Sequence, residues 1–290
     1  MTERPKRSVL KKQAAELLSG ARVSPKKMTA LYMGLGVILN IIVYLGGGLN
    51  LISTFLVVLT NLLLIILDAG FTLYCMAVRR REHAEYLILF DGFSNVGKII
   101  LLEIIKYIFI SLWSMLFIIP GVIAYYRYRF ALYYLLEDPD LGVMEALELS
   151  KRQTFGYKGP LFALDFSYLG WALLAGLPDI IYRVLIQRQA MISLMSMPDY
   201  AYADFQIILD TISPDVLGIP VLAWRMIILL FALLISLFYL PNYRCVELDY
   251  FDAAKSSGPL GKRDSVLWNQ NSDDDDHHNS TGNSSFGDFY

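Results

Sequence analysis

The chain has 290 residues, of which 56% are apolar and only 18% charged. That is too little charge for the surface of a soluble domain this size. Its net charge of −2, with no alternation of basic and aromatic residues in the polar segments, sets nucleic acid aside as a partner. Of 25 Lys and Arg, only Lys106, Arg127, Arg129 and Arg225 fall within long apolar runs, and of 27 Asp and Glu only Asp68, Glu103 and Asp165 do. Near-absence of charge in such runs is what a hydrocarbon solvent demands.

In chain order, residues 1–27, with eight basic and two acidic side chains, place Leu10, Ala14, Leu17 and Leu18 at helical spacing. The pattern predicts a short amphipathic helix lying on the inner leaflet. A polar stretch this long before the first apolar run, with no small-residue cleavage site after it, does not read as a cleavable signal peptide. The first span is expected at Met28 to Leu45, a turn at Gly46, Gly47 and Gly48, and the second span at Leu51 to Val78. Arg79, Arg80 and Arg81 then hold that end in the cytoplasm by the positive-inside tendency. Residues 82–98 are too short and too polar to span and read as an interfacial segment.

From Ile99 to Leu136 the chain is apolar for nearly twice the length that crosses ~30 Å of hydrocarbon at ~1.5 Å per residue. Pro120 and Gly121 divide it into two expected spans, Ile99 to Ile119 and Val122 to Leu136, with one long kinked helix as the alternative. Val143, Met144, Leu147 and Ser150 share one face of an expected surface helix at 140–154. The fifth span is expected at Pro160 to Leu177. A polar excursion follows from Pro178 to Leu217, within which Ile180 to Met197 reads as a helix on the outer interface. The sixth span, Ile219 to Leu240, is expected to stop at Pro241.

These elements predict an all-α, polytopic transmembrane helical bundle of about six spans with amphipathic cytoplasmic helices. Its organisation is 1–27 as a cytoplasmic segment, 28–252 as the membrane domain and 253–290 as a disordered acidic tail. Six spans are preferred to five because they put the basic N-terminus, the Arg triplet and Lys151 with Arg152 on one side, and the acidic excursion on the other. Both termini are then cytoplasmic.

Several motifs occur in register: Leu10-Lys11-Lys12-Gln13-Ala14, Gly92-Phe93, Leu112-Trp113-Ser114, Ile118-Ile119-Pro120-Gly121, Glu145-Ala146-Leu147 with Ser150, Gly156-Tyr157-Lys158, Phe166-Ser167-Tyr168-Leu169-Gly170-Trp171, and Pro241, Tyr243 and Tyr250. Together they resemble the uncharacterised bacterial membrane proteins catalogued as domain of unknown function 975. The resemblance implies a multi-pass bacterial inner-membrane protein and no assigned activity. The Pro-Gly break also looks like the membrane region, not the catalytic part, of some glycerophosphodiester phosphodiesterases. Departures from the pattern are Asp165 in the fifth span, Asn242 between Pro241 and Tyr243, and the acidic tail.

The only histidines are His83, His277 and His278. No metalloprotease helix, nucleophile elbow, phosphate-binding loop or dinucleotide fingerprint occurs. An enzyme is therefore not expected, and no catalytic, cofactor-binding or metal-binding residue is assigned. The run Asp273 to Asp276 with His277 and His278 reads as a solvating tail, and Cys75 and Cys245 as packing residues. The ionisable residues of the spans, Asp68, Glu103, Lys106, Arg127, Arg129, Asp165 and Arg225, each cost about 2.5–3.5 kcal/mol at a helix centre unless paired or wetted. They form the candidate intramembrane polar cluster, with Glu103 and Lys106 spaced to pair on one helix. Structural ion pairing is the plainer account of them. Gly34 with Gly36, and Gly170 with Gly176, are expected to permit close helix contacts.

Lys11, Lys12, Lys151, Arg152 and Lys158 form a candidate surface for anionic lipid. The first functional expectation is a non-enzymatic membrane protein acting through lipids, a membrane-protein partner or a second copy. The alternatives are a small transporter or channel using the polar cluster, and a lipid-metabolism enzyme in which Asp68, Glu103 and Asp165 converge.

Overall fold

The computed structural model describes residues 7–46, 51–82, 84–195 and 218–257. The helices are α1 (Arg7–Ser19), α2 (Pro25–Leu45), α3 (Leu51–Arg79), a 3-10 segment (Tyr86–Asn95), α4 (Val96–Leu116), α5 (Ile118–Arg127), α6 (Ala131–Glu137), α7 (Val143–Gln153), α8 (Lys158–Met195) and α9 (Val221–Ser257). Among the described residues there is no strand. Among the described residues, five helical runs are long and apolar enough to cross a membrane: Pro25–Leu45, Leu51–Arg79, Tyr86–Leu116, Lys158–Ile192 and Val221–Ser256. The expected turn at Gly47 and Gly48, His83, the end of the polar excursion and the tail with Asp273 to Asp276, His277 and His278 lie outside the described residues.

The structure corrects the six-span reading at its fourth span, since no continuous helix covers Val122 to Leu136. The chain turns at Phe117, whose backbone is extended at φ −160° and ψ 153°, so Pro120 falls in the first turn of α5, where its missing N–H costs nothing. A second break at 128–130 separates α5 from α6. Ser150 of α7 staples this break: its hydroxyl donates to the Arg127 carbonyl at 2.9 Å and accepts from the Phe130 amide at 3.1 Å. Thr154 adds a bond to the same carbonyl at 3.2 Å. Interrupted backbone inside a bundle persists only when its freed groups find such partners. Ser150→Ala is expected to destabilise by about 1–3 kcal/mol by stranding the Phe130 amide, seen as a lower thermal midpoint in detergent. An unchanged midpoint would refute the staple.

Despite its break, the segment α5–α6 brings the chain back to the level where α4 began. Lys98 Nζ donates to the Leu141 carbonyl at 3.3 Å, and Arg80 pairs with Glu137 at 2.8 Å. Arg79 pairs with Asp249 at 3.1 Å and with Asp252, Lys255 with Glu137 at 2.7 Å, and the Tyr74 hydroxyl donates to the Val23 carbonyl at 2.8 Å. The starts of α2 and α4 and the ends of α3, α6 and α9 thus meet at one charged end of the bundle.

Two expected boundaries also move. Helix α8 continues through Pro178 as one 38-residue helix, about 57 Å long, instead of ending at Leu177 before a separate interfacial helix. Helix α9 continues through Pro241 to Ser257, so Ala253–Ser257 are helical and not part of a disordered tail. Beyond Pro241, Cys245, Val246, Glu247, Leu248, Tyr250, Phe251 and Ala254 are all buried. Proline removes one hydrogen bond from α9, and burial of the following turns outweighs that loss.

The protein core sits at the charged end, where Phe71, Tyr74, Ile99, Leu102, Phe130, Tyr133, Leu161 and Phe251 are almost fully buried. Towards the other end the helices expose Leu51, Phe55, Met115, Leu173 and Phe238, the apolar exterior that fits a membrane protein. Leu10, Ala14 and Leu18 of α1 are buried, and α1 packs on α9 and α3. The apolar stripe of α1 therefore meets protein, not the leaflet. In α7, Val143, Ala146, Leu147 and Ser150 are buried while Met144 faces out.

The 3-10 segment is not a separate interfacial element but packs along α3. A Cβ on Gly70 would lie 1.9 Å from the Leu89 carbonyl oxygen, and one on Gly92 2.5 Å from that of Ile66. The glycines expected to make close contacts do not: a Cβ on Gly34, Gly170 or Gly176 meets nothing within 4 Å, and one on Gly36 makes ordinary contact.

Candidate functional site

The break between α5 and α6 turns Arg129 into the bundle, where its side chain is only 7% exposed. It forms a two-pronged pair with Asp165 of α8, Nη1 to Oδ2 at 2.7 Å and Nη2 to Oδ1 at 3.0 Å. Its Nε donates to Glu247 Oε1 of α9 at 2.6 Å, and Nη2 also donates to the Tyr243 hydroxyl. The guanidinium lies 5.2 Å from the Tyr125 ring centre and 5.6 Å from that of Tyr126. A planar, five-donor cation is the side chain suited to hold two carboxylates and aromatic faces at once.

Asp165 is equally saturated. Tyr126 donates to Oδ2 at 2.7 Å and Tyr243 to Oδ1 at 2.8 Å. On the other side of Glu247, Arg244 pairs with Asp68 of α3, and Asp68 also accepts from Tyr32 of α2 at 3.3 Å. Five segments, α2, α3, the α5–α6 junction, α8 and α9, are thereby joined through charge-assisted hydrogen bonds.

A cavity of about 430 Å³ adjoins the network, lined among others by Asn61, Asp68, Glu103, Lys106, Arg129, Tyr133, Arg244 and Glu247. Glu103 and Lys106 enter it from α4, paired at 2.5 Å. The structure thus gathers Asp68, Glu103, Lys106, Arg129 and Asp165 from the expected cluster. Arg127 stands apart, contributing only its carbonyl to the α7 staple. Arg225 also stands apart, 5.4 Å over the Tyr44 ring and lining a separate cavity with Asp179 and Arg183.

Tyr32, Tyr126, Tyr243, Arg244 and Glu247 are not among the residues that the sequence assigns to the polar cluster. Reading Pro241 as a stop puts the last three beyond the sixth span. The recurrence of Cys245, Leu248 and Phe251 at helical spacing was the signal that the helix goes on.

Asp68 and Glu103 border one cavity, but Asp165 lies outside its lining, so the three carboxylates do not converge on one pocket. Among the described residues no group of three or more His, Cys, Asp or Glu is arranged to hold a metal ion.

The basic residues expected at the lipid surface divide. Lys12 and Lys151 are exposed, and Arg152 is exposed but paired with Glu148. Lys11 Nζ sits 4.0 Å over the Tyr168 ring, and burial, then the nearby Arg7 cation, hold it below the usual lysine range. Lys158 is half-buried at the start of α8. Asn242 joins three helices, accepting from the Tyr168 hydroxyl at 2.5 Å and donating to the Lys11 carbonyl at 3.2 Å.

Residues 115–255 match the model of a family described as Protein of unknown function (DUF975). No curated protein and no solved structure matches the chain significantly. The matched stretch contains Arg129, Asp165, Tyr243, Arg244 and Glu247, whereas Asp68, Glu103 and Lys106 precede it.

Proposed function

Residues 115–255 carry a DUF975 domain, and from that premise we propose a non-enzymatic multi-pass protein of the bacterial cell membrane, with both termini cytoplasmic, that acts through anionic lipid headgroups at its charged end. The supporting observation is the division of α1 and α7 into two faces. Their apolar faces are sealed against the bundle, while Lys12 of α1 and Lys151 and Arg152 of α7 stay exposed. Outward, α1 offers Arg7 and Lys12 against Glu16, and α7 offers Lys151 and Arg152 against Glu145 and Glu148, and each basic residue near an anionic leaflet is worth about 1 kcal/mol. Phosphatidylglycerol is expected to stay bound through delipidation in preference to phosphatidylcholine, as read by native mass spectrometry. Lys12→Glu with Lys151→Glu should remove that preference. Equal retention of both lipids, or a preference unchanged in the double variant, would refute this reading in favour of a protein partner or a second copy.

The cavity favours a second reading, a small transporter or channel. A polar space of this size among apolar helices, bordered by charges from several of them, is typical of intramembrane solute sites. Glu103→Gln, at a residue that lines the cavity, is expected to abolish flux through proteoliposomes with membrane yield unchanged. A joint fall of yield and thermal midpoint would mark the network as purely structural.

A further inference from the structure

The cavity network is short of one positive charge. Lys106 pairs with Glu103, Arg244 with Asp68 and more distantly with Glu247, and Arg129 with both Asp165 and Glu247. Three cations therefore face four carboxylates, in a region walled by apolar helices where an uncompensated charge is costly.

The excess falls on a particular atom. Glu247 is 2% exposed, and while Arg129 holds its Oε1, its Oε2 has no hydrogen-bond partner. The nearest cationic nitrogen is Arg244 Nη1 at 3.7 Å. Tyr133, 1% exposed, also faces Glu247. Both residues line the cavity, with Asn61, Asp68 and Glu103 as further oxygen donors around it. A buried carboxylate oxygen left unmatched beside a cavity calls for an explanation, and an ion or water held in that cavity supplies one.

We infer that the cavity beside Glu247 and Tyr133 binds one small monovalent cation, an alkali ion or a primary ammonium, which completes the charge balance of the network. A divalent ion would overshoot the deficit by one charge, and no group of three or more His, Cys, Asp or Glu among the described residues is arranged for it. An anion would deepen the imbalance. The inference rests on the solute-site reading of the cavity and names the solute class.

The test is thermal unfolding of the full chain in nanodiscs of uncharged lipid at fixed pH and ionic strength, with sodium, potassium or ethylammonium replacing the bulky cation N-methylglucamine. At least one small cation should raise the midpoint saturably, by roughly 5 °C at a hundredfold excess over its dissociation constant. The comparison among the three distinguishes an alkali ion from an ammonium. Glu247→Gln keeps the Oε1 acceptor for Arg129 and removes the surplus charge. It should raise the midpoint in N-methylglucamine and abolish the response to small cations. If that variant does not fold, Tyr133→Phe carries the test, with the half-saturating concentration expected to rise about tenfold. No advantage of any small cation in the wild-type protein, a response retained in Glu247→Gln, or an unshifted response in Tyr133→Phe would each overturn the inference. Saturable binding without flux through proteoliposomes would preserve the cation site and remove transport.

Discussion

Arg129→Ala is expected to destabilise the bundle by about 3–5 kcal/mol, the usual consequence of removing one partner from a buried pair. One guanidinium holds both Asp165 and Glu247, and the second of these carboxylates is almost completely enclosed. Its loss leaves Asp165 without a cation and Glu247 with only Arg244, 3.7 Å away. The measurement is the thermal midpoint in detergent together with the amount recovered from membranes. Arg129→Lys should fall between, because an ammonium keeps the charge but cannot present a planar fork to two acceptors. Combining Arg129→Met with Asp165→Asn and Glu247→Gln should restore much of the lost stability, since repulsion vanishes with the charges. Wild-type stability in Arg129→Ala would show that the network holds nothing together.

Gly70→Ala is the second large effect, about 3 kcal/mol, at the upper end for overpacking. The added methyl would collide with backbone, the Leu89 carbonyl, which cannot swing aside as a side chain does. Gly92→Ala should behave similarly against the Ile66 carbonyl. Gly34→Ala and Gly170→Ala are the matched controls. Open space surrounds both positions, so the gain in helix propensity should leave them neutral or stabilised by up to about 1 kcal/mol. Thermal midpoints for the four variants give the comparison, and a Gly70→Ala protein as stable as the Gly34→Ala one would show that the 3-10 segment does not depend on this close approach.

The helical membrane architecture was legible because hydrocarbon imposes a composition that a single sequence displays, namely long runs with almost no charge. Asp68, Arg129 and Asp165 stood out for the same reason, as exceptions within those runs. Glu247 and Arg244 did not, because charges after an apolar run look ordinary once proline is taken as its end. The fourth span misled for a related reason. Hydropathy registers the apolar character of 122–136, but not that Ser150, twenty residues away, satisfies a break in the middle. Glycine spacing was equally silent about which glycines touch a neighbour. Gly70 and Gly92 matter through a contact between two segments, and neither segment's pattern contains the other.

The distribution of partners along α9 has a consequence for biogenesis. Arg129 and Asp165 are synthesised early, but Tyr243, Arg244 and Glu247, which complete their bonds, lie on the last described helix to leave the ribosome. Until that helix is released, the insertion machinery must accommodate a half-satisfied set of charges. The charged end can therefore close only after synthesis has passed residue 247, so a nascent chain truncated before Pro241 should be held by chaperones or degraded, even with its earlier helices already in the bilayer.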